Sequence, residues 1–230
     1  MRIRPQVPAL LAIASALAAW APAAWSIGDD PVAVPKSAST SADPDIQAKV
    51  LYNTGIEEVR KADDADASTA KLAGEAKAQA AEEARTLYST ALGKFQRAVR
   101  LDTGMFQAWN YVGYTNRKLG DYDEALGAYE RALALQPDYP EAIEYRAEAY
   151  LAVGRLKDAE QSYLDLFAGH RAIADKLLDA MKTWVASQRV TASGTRTGEV
   201  NDLDKWVQER SQIAGQTAAL TREGAASSWK

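Results

Sequence analysis

The chain has 230 residues, a formal net charge of −4, and 47% hydrophobic residues, among them many alanines but only three Phe. That composition suits close-packed helices better than a sheet, and so mild an acidity supplies no electrostatic footprint for nucleic acid. There is no cysteine and a single histidine, His170, which excludes disulfides, thiolate nucleophiles, Cys-ligated metals and His–His metal pairs.

The first segment reads as an address. Arg2 and Arg4 precede an apolar run from Ala9 to Ala21, and small residues follow at Ala21-Pro22-Ala23 and Ala24-Trp25-Ser26. This pattern predicts a signal peptide over residues 1–26, and therefore a periplasmic protein; either triplet fits the peptidase, with the cut after Ser26 preferred. The alternative is an uncleaved anchor in the inner membrane. The apolar run is shorter than the ~20 residues of a spanning helix and is interrupted by Pro22, so no membrane span is expected after processing. No cysteine follows to carry a lipoprotein anchor. Removing residues 1–26 takes away Arg2 and Arg4 and leaves a charge of −6.

Residues 27–42 are rich in Pro, Ser, Ala and Asp without any period, as a flexible linker would be. Order is expected from Asp43, an N-cap, with Pro44 at the first helical position, where its missing N–H costs nothing. The first helix then runs through Ala62.

From there a period of 34 residues governs the chain. Ala91, Phe95 and Ala98 fall on Ala125, Tyr129 and Ala132, and these on Ala159, Tyr163 and Leu166. The leading helices and turns follow: Ala108 maps to Ala142, Gly113 to Ala147 and Gly120 to Gly154. Small residues at Gly113, Ala125, Ala132, Ala147 and Ala159 allow helix backbones to approach closely, while one aromatic ring per unit fills the seam. Gly120 and Gly154 can adopt the positive φ that stops one helix and turns into the next, and Pro137 ends the second helix of its unit.

This set of residues resembles the tetratricopeptide repeat, a 34-residue helix-turn-helix unit that stacks into a superhelix. The match is close over 106–139, where Trp109, Gly113, Gly120, Ala125, Tyr129, Ala132 and Pro137 stand at the pattern positions. Over 140–173 it is degenerate, with Ile143 in place of Trp and Arg146 at an apolar position. The first unit, 43–105, is split: its small residue is Gly55 rather than position 79, which implies an insertion of about 24 residues near 61–84. This insertion is expected to lengthen the second helix backward from about Ser68, with Asp63 to Asp66 in the turn. Three units over 43–173 are expected to form an all-α solenoid, and 174–230 to hold capping helices and a tail. Ile173, Leu177, Met181, Trp184 and Val185 share one face of the first cap. After a break at 191–198, Asn201 is expected to cap a last helix bearing Leu203, Trp206, Val207, Ile213 and Leu220.

The resemblance implies a concave groove, lined by the first helix of each repeat, that holds an extended peptide or a partner helix. Carried over by position, it comprises Lys49, Tyr52 and Ile56, then Gln107, Asn110, Tyr111, Tyr114, Arg117 and Lys118, then Glu141, Glu144, Tyr145 and Glu148. Tyr114 and Arg117, one turn apart, are expected to face solvent and to be replaceable with little effect on stability. The cationic clamp that related repeats use for the C-terminal carboxylates of heat-shock chaperones is absent, its places being taken by Tyr52, Ile56, Tyr111, Glu141 and Tyr145. A ligand with positive charge at the Glu141, Glu144 and Glu148 end follows from complementarity.

Three sharper motifs occur in the sequence. Asp64 to Glu75 has acids or hydroxyls at places 1, 3 and 5 and a glutamate at place 12 of a calcium loop, yet Thr69 replaces its turn glycine and Lys71 an apolar residue, so calcium is disfavoured. His170 has no adjacent Ser or Cys and reads as a cap or surface residue. The Gly194–Gly198 stretch lacks the Lys-Ser/Thr of a phosphate loop and reads as a turn. The expectation is a non-catalytic scaffold or adaptor in the assembly of an envelope complex, binding a protein or peptide segment, with no cofactor, metal, nucleic acid or small-molecule substrate. A holdase-type chaperone is the alternative.

Overall fold

The computed structural model describes residue 31, residues 43–191 and residues 195–227. The expected signal peptide and nearly all of the linker lie outside the described residues. Among those described there are eight α-helices and no strand: α1 (Pro44–Ser68), α2 (Gly74–Leu101), α3 (Phe106–Leu119), α4 (Tyr122–Leu135), α5 (Pro140–Ala152), α6 (Leu156–Gly169), α7 (Arg171–Thr191) and α8 (Thr195–Ser227). No helix among the described residues is long and apolar enough to cross a membrane.

The helix ends follow local chemistry. The Asp43 carboxylate accepts the Asp45 N–H at 3.0 Å, with Pro44 opening α1. Gly120 at φ +93° and Gly154 at φ +80° turn the chain after α3 and α5, and the Gly120 and Asp121 N–H groups satisfy the carbonyls of Arg117 and Asn116. Chain direction reverses between α4 and α5 across Pro137, and Pro140 opens α5. His170, exposed, donates its N–H to the Leu166 carbonyl at 2.7 Å and accepts the Ala174 N–H at 2.9 Å, so its backbone caps both α6 and α7.

Consecutive helices pack as antiparallel pairs, α1 on α2, α3 on α4 and α5 on α6. The first helices also meet laterally, α3 against α5 and α5 against α7. The seams close on small residues: Ala91, Ala98, Ala125, Ala132, Ala147 and Ala159 are fully buried, as are the rings of Phe95, Tyr129 and Tyr163 between them. A Cβ at Gly113 would stand 2.5 Å from the Tyr129 ring, and one at Gly55 would stand 2.6 Å from the Phe95 ring. These are the same contact twice. The partners are 16 residues apart in one pair and 40 in the other, and the difference is the insertion. Trp109 secures the intervening turn by donating its indole N–H to the Thr103 carbonyl at 3.1 Å.

The insertion differs from expectation in its placement. It lengthens both helices of the first pair, and Asp63 to Asp66 lie inside α1. The physical reason is the lack of a breaker: no Gly or Pro stands between Gly55 and Ser68, and the alanines favour a helix enough to carry the three aspartates. The turn is made lower down, by a short 3-10 segment at Thr69–Lys71 and by Gly74 at φ +56°. Asp64, Asp66 and Ser68 are therefore helical and cannot wrap a calcium ion. Among the described residues no group of three or more His, Asp or Glu is placed to hold a metal.

The cap is a helical hairpin. α7 lies on α5 and α6 with Leu177, Met181, Trp184 and Val185 buried. α8 runs back along it: Arg189 pairs with Asp204 near one end, and Arg171 donates to the Ala214 carbonyl near the other. This last helix begins at Thr195 rather than at Asn201, because Val200 extends the stripe of Leu203 and Val207 and is buried with them. Trp206 meets the Tyr163 ring edge-on at 5.3 Å, while Ile213 remains largely exposed. The Leu220 side chain lies outside the described residues.

Gly113→Ala should therefore lower the melting temperature, since the added methyl must displace the buried Tyr129 ring at a cost of ~1–3 kcal/mol. Gly127→Ala, on the exposed face of α4 with nothing within 4 Å, should raise stability by ~0.5–1 kcal/mol. Thermal unfolding of the two variants checks the pair, and an equal shift in both would show that Gly113 is not at a close approach.

Candidate functional site

The residues assigned to the groove do form one contiguous band, carried by the first helices α1, α3 and α5. Most of that band is buried. Lys49, Gln107 and Glu141 are half-exposed, and Arg117 and Lys118 keep about a tenth of their side chains in contact with solvent (10% and 11%). Tyr52, Ile56, Asn110, Tyr111, Tyr114, Glu144, Tyr145 and Glu148 are buried. The expectation of an open tyrosine-lined surface is corrected here, and the reasons are aromatic packing between helices and partners that the sequence reading placed elsewhere.

Aromatic rings run along the band without a gap. Tyr52 meets Tyr111 edge-on at 5.8 Å, Phe95 stacks on Tyr111 at 5.1 Å, Tyr111 leads to Tyr114 at 5.9 Å, and Tyr114 to Tyr145 at 5.1 Å. Tyrosine suits this position because its ring fills the seam while its hydroxyl can serve a polar neighbour. The Asn110 amide faces the Tyr139 hydroxyl at 3.4 Å, between α3 and the start of α5.

Charged groups from the lengthened α1 close over the α3 section. The Asp63 carboxylate accepts hydrogen bonds from the Tyr88 hydroxyl at 2.5 Å and from the Tyr114 hydroxyl at 2.7 Å. Asp66 pairs with Lys118 at 2.5 Å. Burial pushes the Asp63 carboxyl above its usual range, opposed by the Tyr88 hydrogen bond and the Lys118 charge. Burial, then the charge of Asp63, likewise raises both tyrosines, so they stay protonated and remain donors. Asp63, Asp66 and Tyr88 were missed as members of the site because Asp63 and Asp66 were placed in a turn; the unbroken helical run from Val59 to Ser68 was the available signal.

The α5 section is built differently. Arg117 reaches across from α3 to Glu148 at 2.6 Å, beneath the rings of Tyr114 and Tyr145 at 5.2 and 5.7 Å. Burial works against the Arg117 charge, but Glu148 more than restores it, and the guanidinium stays protonated. One turn away, Glu144 is 2% exposed, and its Oε1 accepts no hydrogen bond. Burial raises its carboxyl to about 8, the Glu148 charge adds to the effect, and Lys176 of α7 and Arg117 oppose it. Lys176, like Asp63, Asp66 and Tyr88, is a member of the site that the groove assignment did not include.

Two outcomes follow. Arg117→Ala leaves Glu148 buried without its partner and should cost ~3–5 kcal/mol, well above the near-neutral change of a solvent-facing residue, as denaturant unfolding would register. Glu144 acts on the pH profile. Its folded pKa of about 8 lies above the ordinary 4.5, so its contribution is complete below pH 4.5 and is lost as pH rises through 8. Glu144→Gln should flatten that decline; a profile between pH 5 and 9 unchanged by the substitution would show that the carboxyl is not held protonated.

Comparison with known proteins agrees with the helix pairing. A tetratricopeptide-repeat model matches residues 106–139, and a second matches 128–161. A relative described as "Uncharacterized protein ycf37", from Guillardia theta, is 30% identical over 87 residues, 36% of this chain and 49% of the relative, so the chain spans about half the length of that protein. Family matches over α3, α4, α5 and the start of α6, with glycine-terminated turns at Gly120 and Gly154, show that residues 106–161 are built as tetratricopeptide repeats, a unit that implies a scaffold for protein–protein interaction.

Proposed function

We propose that this protein is an exported, periplasmic, non-catalytic adaptor that holds a segment of a partner protein along its row of first helices, in the assembly of an envelope complex. Support for export is the basic, then apolar, then small-residue order of residues 1–26. Support for the surface is the concentration of buried and half-buried polar side chains on α3 and α5, far more than a seam needs for packing alone. Among the described residues the large exposed hydrophobics are all aliphatic, from Leu72 to Ile213, and include no aromatic.

A photo-crosslinking side chain at Gln107, on the first-helix row, is expected to capture one defined partner in intact cells. The same group at Arg131, exposed on α4, should capture none, and the adduct should fractionate with the periplasm carrying a chain that starts near Ile27. Capture from Arg131 alone would move the interaction to the second helices, and an intact N-terminus in the membrane fraction would replace export with anchoring.

A further inference from the structure

We infer that the α5–α7 end of the band is a cation-recognition subsite, in which Glu144 and Glu141 receive a lysine or arginine side chain from the partner segment. This inference rests on the reading of the first-helix row as the docking surface.

Three observations carry it. The first is charge accounting along the band. The two cations of α3 are already neutralised within the chain, Arg117 by Glu148 and Lys118 by Asp66. Among the described residues no ion pair neutralises Glu141, and Glu144, held protonated by burial, faces the charge of Lys176 of α7 and becomes negative only when a further cation arrives. The second is the state of Glu144. It is 98% withdrawn from solvent, with an oxygen that accepts no hydrogen bond, and a buried acceptor left unmade is an unfavourable arrangement unless something completes it. The third is access. Glu141, three residues earlier and hence on the same face of α5, is half-exposed and acts electrostatically on Glu144, so it marks the way in for a long cationic side chain. The α1–α3 end offers no such site, because Asp63 and Asp66 of the insertion already occupy it.

The groups that face Glu144 are Arg117 from α3, Tyr129 from α4, Glu141, Tyr145 and Glu148 from α5 itself, and Lys176 from α7. An arriving ammonium or guanidinium pairs with the ionised carboxylate. Near neutral pH, therefore, Glu144 gives up its proton to solvent as the cation binds. Binding is then linked to proton release and strengthens as pH rises toward 9.

The test uses the full chain and two blocked hexapeptides, one with two lysines among alanines and one with glutamates in their place. Calorimetry at pH 7 in buffers of different ionisation enthalpy reads both affinity and protons released. The lysine peptide is expected to bind with proton release, the glutamate peptide not to bind, and Glu144→Gln to weaken the lysine peptide about tenfold or more and abolish the release. Glu141→Gln, at a half-exposed position, provides the same comparison should Glu144→Gln fail to fold. Lysine-peptide binding without proton release and insensitive to both substitutions overturns the inference, as does equal binding of the two peptides or binding of neither. If the inference fails while Gln107 still crosslinks a partner, the scaffold reading stands; if Gln107 captures nothing, that reading itself falls.

Discussion

The stack depends on two places where a helix has no side chain at all. Gly113 and Gly55 let the Tyr129 and Phe95 rings lie directly on helix backbone, closer than any Cβ permits. The ring then spans the pair and reaches the next first helix, where Phe95 stacks on Tyr111 and Tyr129 approaches Tyr145 at 6.5 Å. Intra-pair and inter-pair packing thus share the same atoms. Interiors this dense transmit small displacements rather than absorb them, so the relative position of α1, α3 and α5, and of the polar groups they carry, follows from two missing methyl groups.

On that frame the band of first helices combines two kinds of interaction that are rarely compatible: close aromatic packing and buried charge. The tyrosines reconcile them, since each ring is apolar on its faces and a donor at its tip. Asp63 can be withdrawn from water because two hydroxyls donate to it, and Arg117 because Glu148 and two ring faces surround it. Glu144 receives no hydrogen bond at Oε1, which leaves that buried carboxyl, beside the half-exposed Glu141, open to a partner.

How much of this was legible in the sequence depended on how local the cause was. Gly120, Gly154, Asp43 and Pro44 act within a turn of their own position, and their roles could be read directly. The 34-residue period located the Gly113–Tyr129 contact because both partners repeat, and it located the Gly55–Phe95 contact once the insertion was allowed for. Burial of Tyr114 and Arg117 was not legible. Their surroundings come from Asp63 and Asp66, some 50 residues away in the chain, and from Glu148 on another pair, and a residue's repeat position says which way it points but not what covers it. Misplacing Asp63 to Asp66 in a turn had the same origin: a period signals where helices belong and is silent about an insertion, where propensity was the only guide. Val200 escaped notice because the glycines at 194 and 198 suggested a longer break than the chain makes.

The unequal spacing of those two glycine contacts also sets an order of events for the chain as it folds. Closing the loop from Gly113 to Tyr129 spans 16 residues, whereas closing Gly55 onto Phe95 spans 40, and the added loop entropy amounts to about 0.8 kcal/mol for a flexible chain. Contacts of low sequence separation form sooner. The central pair therefore closes at lower entropic cost than the first pair, whose long hairpin must order more chain before its glycine contact forms. The contacts of Asp63 with Tyr114 and of Asp66 with Lys118 span 51 and 52 residues, so the polar closure over α3 needs α1 and α3 both in place and reports their docking rather than the formation of either helix.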